Sequence, residues 1–166
     1  MSSLDPAQAP PRRSRVERLR TRIAHWMFVL LRPMTLGVRG VVLDGRGQVL
    51  LVRHGYAVGW HFPGGGVERG ETCESALERE LAEEACVAIE GPTRLHGLFF
   101  NGRISPRDHV AVYVIENFRV TGARAPDAEI QEARFFPLDA LPEGVTRGTR
   151  KRLEEILEGR TKDGWW

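Results

Sequence analysis

The chain has 166 residues, of which 42% are hydrophobic and 28% are charged, and its formal net charge is +2. This length fits one domain with a buried core, and the composition is that of an ordinary globular protein. No apolar run approaches the roughly 18 residues of a membrane span, so the sequence excludes an integral membrane protein built from helices.

The N-terminal arm is basic. Residues 1–32 hold seven arginines against Asp5 and Glu17, a net charge of +5, whereas the rest of the chain holds 17 basic and 20 acidic residues. Residues 1–14 are rich in Pro, Ser and Arg and are predicted to be a disordered basic tail. Residues 15–32 are predicted to form an amphipathic helix, because the following apolar residues recur at helical spacing: Val16, Leu19, Ile23, Trp26, Met27 and Leu30.

The predicted helix at residues 15–31 is compatible with two kinds of contact. Such a helix packs on its own domain or on a second subunit, or it lies as a peripheral element on an anionic membrane surface. No basic pattern continues into the domain, so no DNA partner is expected. Arg32-Pro33 follows the short apolar run without a small-residue cleavage site, which argues against a secretory signal.

The rest of the chain alternates apolar runs with turn residues. The predicted order is strand, turn, strand, glycine loop, helix, three strands and a terminal helix. The first two strands are predicted to form a hairpin around Asp44-Gly45-Arg46-Gly47. Residues 161–166 are predicted to be a C-terminal tail. The predicted bounds are Thr35–Leu43, Gln48–Val52, about Cys73–Ala85 with Thr72 as N-cap, Thr93–Phe100, Val110–Phe118, Glu132–Leu138 and Arg147–Leu157.

The two cysteines, Cys73 and Cys86, both fall at the predicted helix between the strands. Thirteen residues of helix separate them by about 20 Å, too far for a disulfide bond. Two cysteines at this spacing do not make a zinc site either. Reduced thiols suit a cytoplasmic protein, which is the predicted location.

Three glutamates of this helix, Glu80, Glu83 and Glu84, are spaced i, i+3, i+4. This spacing puts their carboxylates on one helical face, where they repel each other. A hard divalent cation such as Mg²⁺ binds carboxylate oxygens and would turn this repulsion into a binding site.

The stretch Gly65–Val87 resembles the signature box of the Nudix hydrolases. That pattern is Gly, five residues, Glu, seven residues, Arg-Glu, an aliphatic residue, any residue, Glu-Glu, any residue, Gly and an aliphatic residue. Cys86 stands where the family has Gly, and we expect it to cost on the order of 1 kcal/mol if it must be left-handed. The matching positions are Gly65, Glu71, Arg79, Glu80, Leu81, Glu83, Glu84 and Val87.

The resemblance implies an α+β fold, an α/β/α sandwich with a mixed β-sheet between helices, over residues 33–160. It also implies hydrolysis of a nucleoside diphosphate linked to another moiety, by attack of water on phosphorus. The implied cofactor is Mg²⁺, with Mn²⁺ as a substitute. The partner would be a small-molecule nucleotide.

The resemblance also implies roles for individual residues. The metal ligands would be the Gly64 carbonyl, Glu80, Glu83 and Glu84. Glu80 or Glu83 would position or deprotonate the water, and the pattern does not decide between them. Arg79 would pair with neighbouring carboxylates and hold them in place.

Substrate contacts are predicted at four positions, Arg53, Gly65, Gly66 and Arg103. The glycines let the backbone approach a ligand closely. Arg53 ends the second strand, where the family often has a phosphate contact, and Arg103 lies in a loop able to reach a phosphate or ribose. Glu129 is a weaker candidate for a further catalytic carboxylate.

The sequence leaves the substrate open. A nucleotide sugar such as ADP-ribose, a nucleoside triphosphate, a dinucleoside polyphosphate and a capped RNA end all satisfy the resemblance. The alternative from another functional class is a non-catalytic Nudix-fold module that senses a nucleotide. The three intact glutamates argue against that alternative, because such modules usually lose one of them.

Overall fold

The computed structural model describes residues 34–160 and 163–166. The predicted tail at 1–14 and the predicted helix at 15–32, with its membrane or subunit contact, lie outside the described residues. Within the described residues, no helix is long and apolar enough to cross a membrane.

The described part contains seven strands and two helices. Their order agrees with the prediction except for two additional short strands, β3 directly after α1 and β6 directly after β5. The elements are β1 Thr35–Val42, β2 Gln48–His54, α1 Cys73–Ala85, β3 Val87–Ile89, β4 Arg94–Phe100, β5 Asp108–Ile115, β6 Phe118–Val120, β7 Ile130–Pro137 and α2 Arg147–Glu158.

The strands pair over long sequence distances. β5 lies between β1, to which it is parallel, and β4, to which it is antiparallel, so this sheet is mixed as predicted. β2 pairs antiparallel with β7, and β3 pairs antiparallel with β6.

The predicted hairpin between β1 and β2 is wrong. The two strands share a single bridge, between Leu43 and Val49, and then join different partners. The turn around Asp44 does form, since its carboxylate accepts hydrogen bonds from the backbone N–H groups of Arg46 and Gln48. Local turn chemistry therefore set the reversal of the chain, and burial of the strands selected their partners.

Both faces of the central strands are buried. In β1, Val38 and Val42 pack into one hydrophobic cluster with α1, and Val41 packs into a second cluster with Leu153 of α2. Alternate residues of a strand point to opposite faces, so β1 joins two layers. This arrangement confirms the predicted sandwich of sheet between helices.

The C-terminal residues belong to the packed domain. The N–H of Phe100 donates to the Gly164 carbonyl at 2.8 Å, and the N–H of Trp166 donates to the Phe100 carbonyl at 3.0 Å. Nη1 of Arg152 donates to the Trp165 carbonyl at 2.9 Å. The described part of the predicted tail, residues 163–166, is thus tied to β4 and α2.

Candidate active site

Close packing of α1 on β1 positions the site. Gly40 allows it, because a Cβ atom there would lie 3.2 Å from the side chains of Leu77, Leu81 and Ile115. The apolar stripe of α1, which consists of Ala76, Leu77, Leu81 and Ala85, is buried. The helix begins at its predicted cap, since the Thr72 side chain accepts from the N–H of Ser75 at 3.1 Å.

The glycine loop lies beside β1. The N–H of Val38 donates to the Gly65 carbonyl at 2.8 Å, and the N–H of Val67 donates to the Leu36 carbonyl at 2.8 Å. Gly64 has φ +136, and a Cβ there would lie 2.2 Å from the Val38 carbonyl oxygen. Glycine is therefore required at position 64, and the loop reaches the polar face of α1.

Glu84 is the most enclosed of the three box glutamates. It is 4% exposed, and its Oε2 accepts from the N–H of Gly64 at 2.7 Å. Burial raises the pKa of Glu84 to about 7; the Gly64 N–H and the charge of Arg39 oppose this rise, and the charges of Glu80 and Glu129 add to it. Negative charge is thus crowded at this point, which favours a cation nearby.

Glu80 and Glu83 have different surroundings although they share a helical face. The Glu80 side chain is 13% exposed and accepts from Nη1 of Arg79 at 2.7 Å. The Glu83 side chain is 63% exposed and lies 3.5 Å from the same nitrogen. Glu80 and Glu84 line the cleft, and Glu83 lies outside its lining.

Arg79 ties the glycine loop to α1. Its Nε and Nη2 donate to the Glu71 carboxylate at 2.9 and 3.1 Å, and Nη2 also donates to the Gly66 carbonyl at 3.2 Å. Hydrogen bonds to Glu71 and Glu80 raise the pKa of Arg79, and the same pairing lowers the pKa of Glu71. Glu71 also accepts from the N–H of Glu68 at 2.9 Å, so it braces the loop.

The cleft next to these residues has a volume of about 470 Å³. Of the predicted site residues it brings together Gly64, Gly65, Gly66, Glu80 and Glu84, and the weaker candidate Glu129 joins them. The full lining is Thr35, Leu36, Gly37, Arg39, Tyr56, Gly64, Gly65, Gly66, Glu80, Glu84, Asn101, Ile104, Asp108, Val110 and Glu129.

Two predicted substrate contacts lie elsewhere. Arg53 is absent from the lining of the cleft; it pairs with Glu132 at 3.2 Å and lies 5.6 Å from the centre of the Trp60 ring. Arg103 lines a neighbouring cavity of about 370 Å³. The structure thus places Arg103, and not Arg53, on a surface continuous with the cleft.

Sequence reasoning missed Arg39, which lines the cleft from β1. Its Nη1 atom is buried and has no hydrogen-bond partner among the described residues. Burial lowers the pKa of Arg39, and the nearby charges of Glu84 and Glu80 oppose this effect. The available signal was a single charged residue in the middle of an apolar strand, since Arg39 stands between Val38 and Gly40.

The residues present fit a magnesium ion in part. Within the described residues, no three His, Cys, Asp or Glu side chains converge closely enough to hold a metal ion by themselves. Mg²⁺ keeps several waters and is usually bound by one or two carboxylates together with substrate phosphates. Glu80 and Glu84, crowded beside the Gly64 loop, are a donor set of that kind.

The fold and the cleft define a class of protein. The chain matches the NUDIX domain over residues 33–156, and it belongs to that family. The box at Gly65–Val87 is therefore a family feature, and the layered sheet between α1 and α2 is the Nudix fold.

Known relatives agree with this membership. The chain is 37% identical over 81 residues to an ADP-ribose pyrophosphatase of Methanocaldococcus jannaschii, covering 49% of this chain and 47% of that protein. It is 30% identical over 128 residues to the human 8-oxo-dGDP phosphatase, covering 72% and 36%. The chain thus spans less than half the length of these curated relatives.

A solved structure agrees as well. The MutT NUDIX hydrolase from Burkholderia pseudomallei superimposes with a TM-score of 0.63 at 26% identity, covering 74% of this chain and 97% of that one.

Proposed function

We propose that this protein is a metal-dependent pyrophosphohydrolase that cleaves the diphosphate of a nucleoside diphosphate linked to another moiety. The observation that carries the proposal is the convergence of Glu80, Glu84 and the glycine loop on one cleft, with Arg39 beside them. Carboxylates and the half-buried Arg39 guanidinium together suit a substrate that brings both phosphates and a bound cation.

In this proposal Glu80, Glu84 and the Gly64 carbonyl hold Mg²⁺, or Mn²⁺ in its place, and Glu83 contributes at the open edge. The ion supplies charge neutralisation for the phosphates and a lower pKa for a bound water. Arg79 is a positioning residue, because its hydrogen bonds keep the Glu80 carboxylate against the glycine loop.

The chain's own residues supply the remaining chemistry. Glu80, which lines the cleft, is better placed than the exposed Glu83 to accept a proton from the attacking water. Gly65 and Gly66 let the substrate approach the backbone, and Arg39 and Arg103 contact phosphate. The substrates that this site admits include a nucleotide sugar such as ADP-ribose and a nucleoside triphosphate, and the two free cysteines suit a cytoplasmic location.

The test is a turnover assay of ADP-ribose, ATP and 8-oxo-dGDP with Mg²⁺ and with Mn²⁺, scored by released phosphate or nucleoside monophosphate. We expect Glu80→Gln and Glu83→Gln each to lower kcat by about 100-fold or more, as loss of a general base or its electrostatic equivalent does. Glu78→Gln is the matched control, since Glu78 is an exposed residue of the same helix.

Near-normal turnover by Glu80→Gln would overturn the assignment of the active site. Tight binding of a nucleotide by the wild-type protein, with no turnover under either metal, would instead favour the sensing module.

A further inference from the structure

The candidate active-site cleft is one end of a longer groove. A second cavity, the middle cavity, shares Arg39, Tyr56 and Asn101 with the cleft. A third cavity, the far cavity, shares Arg103 and Arg147 with the middle cavity. The three cavities are therefore neighbours along one surface, here called the groove, from Glu84 to the C-terminal tryptophans.

The groove is larger than a diphosphate requires. The cleft, middle cavity and far cavity have volumes of about 470, 370 and 450 Å³. Small-molecule sites typically measure ~300–1,000 Å³, so each part alone is large enough for a ring system. When the reacting phosphates of a ligand lie beside Glu84 in the cleft, the middle cavity and the far cavity remain available to the rest of the ligand.

The charge of the groove changes sign along its length. Four carboxylates and one arginine line the cleft: Glu80, Glu84, Asp108, Glu129 and Arg39. Three cations and one carboxylate line the far cavity: Arg103, Arg147, Lys151 and Asp163. The change occurs at Arg39, which lines both the cleft and the middle cavity. Its buried Nη1 atom has no hydrogen-bond partner within residues 34–160 and 163–166.

A buried guanidinium donor without a partner favours an anion. The phosphates of a ligand that extends from the cleft toward the far cavity would therefore lie near cationic side chains.

Trp165 offers an aromatic surface at the far end. Its side chain is 59% exposed and lines the far cavity, and its ring centre lies 5.1 Å from that of Phe100. Its backbone is held in place, because its carbonyl accepts hydrogen bonds from Arg152 at 2.9 Å and from Lys151 at 3.3 Å. An exposed indole on a fixed backbone, beside two arginines, is suited to stacking on a nucleobase.

We propose that the far cavity binds the second nucleotide of a two-nucleotide substrate, with its base on Trp165 and its phosphates near Arg103 and Arg147. The inference rests on the proposed function, since it takes the scissile diphosphate to lie beside Glu80 and Glu84. It extends that function by selecting dinucleoside polyphosphates over nucleotides that carry one base.

Three ligands test the proposal: diadenosine tetraphosphate, ATP and ADP-ribose. We expect wild-type kcat/KM to be at least about tenfold higher for the two-base compound than for ATP, because base–aromatic stacking contributes on that order. Trp165→Ala should raise KM for diadenosine tetraphosphate by about tenfold, with kcat little changed, and should alter KM for ATP less than about twofold. Trp165→Phe should restore the difference, because it keeps a stacking ring.

Arg147→Gln should act in the same direction as Trp165→Ala. Its matched control is Arg150→Gln, an exposed arginine of the same helix that is absent from the lining of the groove. Thermal unfolding of each variant separates loss of a contact from loss of the C-terminal packing. Equal effects of Trp165→Ala on all three ligands, or no effect on any, would overturn the inference and leave the proposed function intact.

A binding measurement keeps the inference testable if the wild-type protein turns over none of the three compounds. That result would contradict the proposed function but would leave the inference about the far cavity untouched. Titration with methylene-bridged, non-hydrolysable analogues of diadenosine tetraphosphate and ATP would then decide, with tighter binding of the two-base analogue and its loss in Trp165→Ala supporting the far cavity. Equal affinities would overturn the inference.

Discussion

Cys86, which departs from the Nudix box, ends α1 in the left-handed region with φ 51 and ψ 44. Glycine reaches this conformation at no steric cost, whereas a side chain costs about 1 kcal/mol there. Thr121 holds the conformation from outside the helix, since its N–H and its hydroxyl donate to the Cys86 carbonyl at 2.7 and 2.9 Å. The sequence left open whether the helix would end in this conformation or differently; the structure has the left-handed end, and contacts from a distant loop offset its cost.

Replacement of Cys86 by glycine should therefore change stability slightly and chemistry not at all. We expect Cys86→Gly to raise the free energy of unfolding by less than about 1 kcal/mol, because relief of strain is partly offset by the greater freedom of the unfolded chain. Urea unfolding and steady-state kinetics measure the two effects. A rise in kcat of orders of magnitude would show that this helix end limits catalysis.

Gly65 provides a sharper test of the site. A Cβ atom there would lie 2.3 Å from Oε1 of Glu80, which is the far end of a flexible side chain. We expect Gly65→Ala to displace this carboxylate and lower kcat/KM by about tenfold or more, with little loss of stability.

Gly45→Ala is the control for this prediction, because it adds the same methyl group where nothing lies within 4 Å. Equal activity of Gly65→Ala and wild type would show that Glu80 need not touch the loop.

At the scale of elements, the bounds of α1 were predictable from the sequence, whereas the pairing of the strands was not. Capping, an apolar stripe and the spacing of glutamates are properties of neighbouring residues, so the bounds Cys73–Ala85 agree with the prediction. Spacing alone treats Glu80, Glu83 and Glu84 as equivalent. Their different exposure depends on the glycine loop and β1, which pack against one side of the helical face.

A buried ion pair lies within α2, between Arg152 and Glu155. The Arg152 side chain is fully buried; its Nη2 donates to Glu155 at 2.6 Å, and its guanidinium carbon lies 3.9 Å above the centre of the Phe99 ring. Oε2 of Glu155 lies 3.1 Å from Nε2 of His96, so the pair also reaches β4. Nη1 of Arg152 also donates to the Trp165 carbonyl at 2.9 Å, so Arg152 links the pair to the C-terminal segment.

Removal of one partner of this pair should be costly. We expect Arg152→Met to lower the free energy of unfolding by about 3 kcal/mol, because Glu155 is left buried without its cation. Arg152→Met/Glu155→Leu should recover much of that loss, since no buried charge then remains. Arg150→Met, on the exposed side of the same helix, is the control in chemical denaturation.

A double variant as unstable as the single variant would show that the hydrogen bond from Arg152 to the Trp165 carbonyl or the contact of Glu155 with His96, and not the ion pair, stabilises this region.

At the scale of the whole molecule, the cleft lies where β1, α1 and the glycine loop meet. Its crowded carboxylates lead to a prediction about metal binding that can be tested without a substrate. Mg²⁺ or Mn²⁺ should raise Tm progressively as the metal concentration increases, and a chelator should reverse the rise, because an ion that binds only the folded state stabilises it.

Glu84→Gln separates the effect of this carboxylate on the stability of the metal-free protein from its effect on metal binding. The variant keeps an oxygen able to accept from the Gly64 N–H and removes a charge that burial disfavours. We therefore expect its Tm without metal to equal or exceed that of the wild type, and the rise with metal to disappear. A rise of wild-type size in Glu84→Gln would place the cation elsewhere.

The sequence by itself determined the family, the helix with its carboxylates and the glycine loop, since each depends on residues close together in the chain. The tertiary structure decided the strand partners, the place of Arg39 in the cleft and the groove toward Trp165. Those features depend on contacts between distant segments, such as the hydrogen bond from Thr35 to Asp108 across 73 positions. Local periodicity does not predict such contacts, because they are selected by burial of both faces of a strand at once.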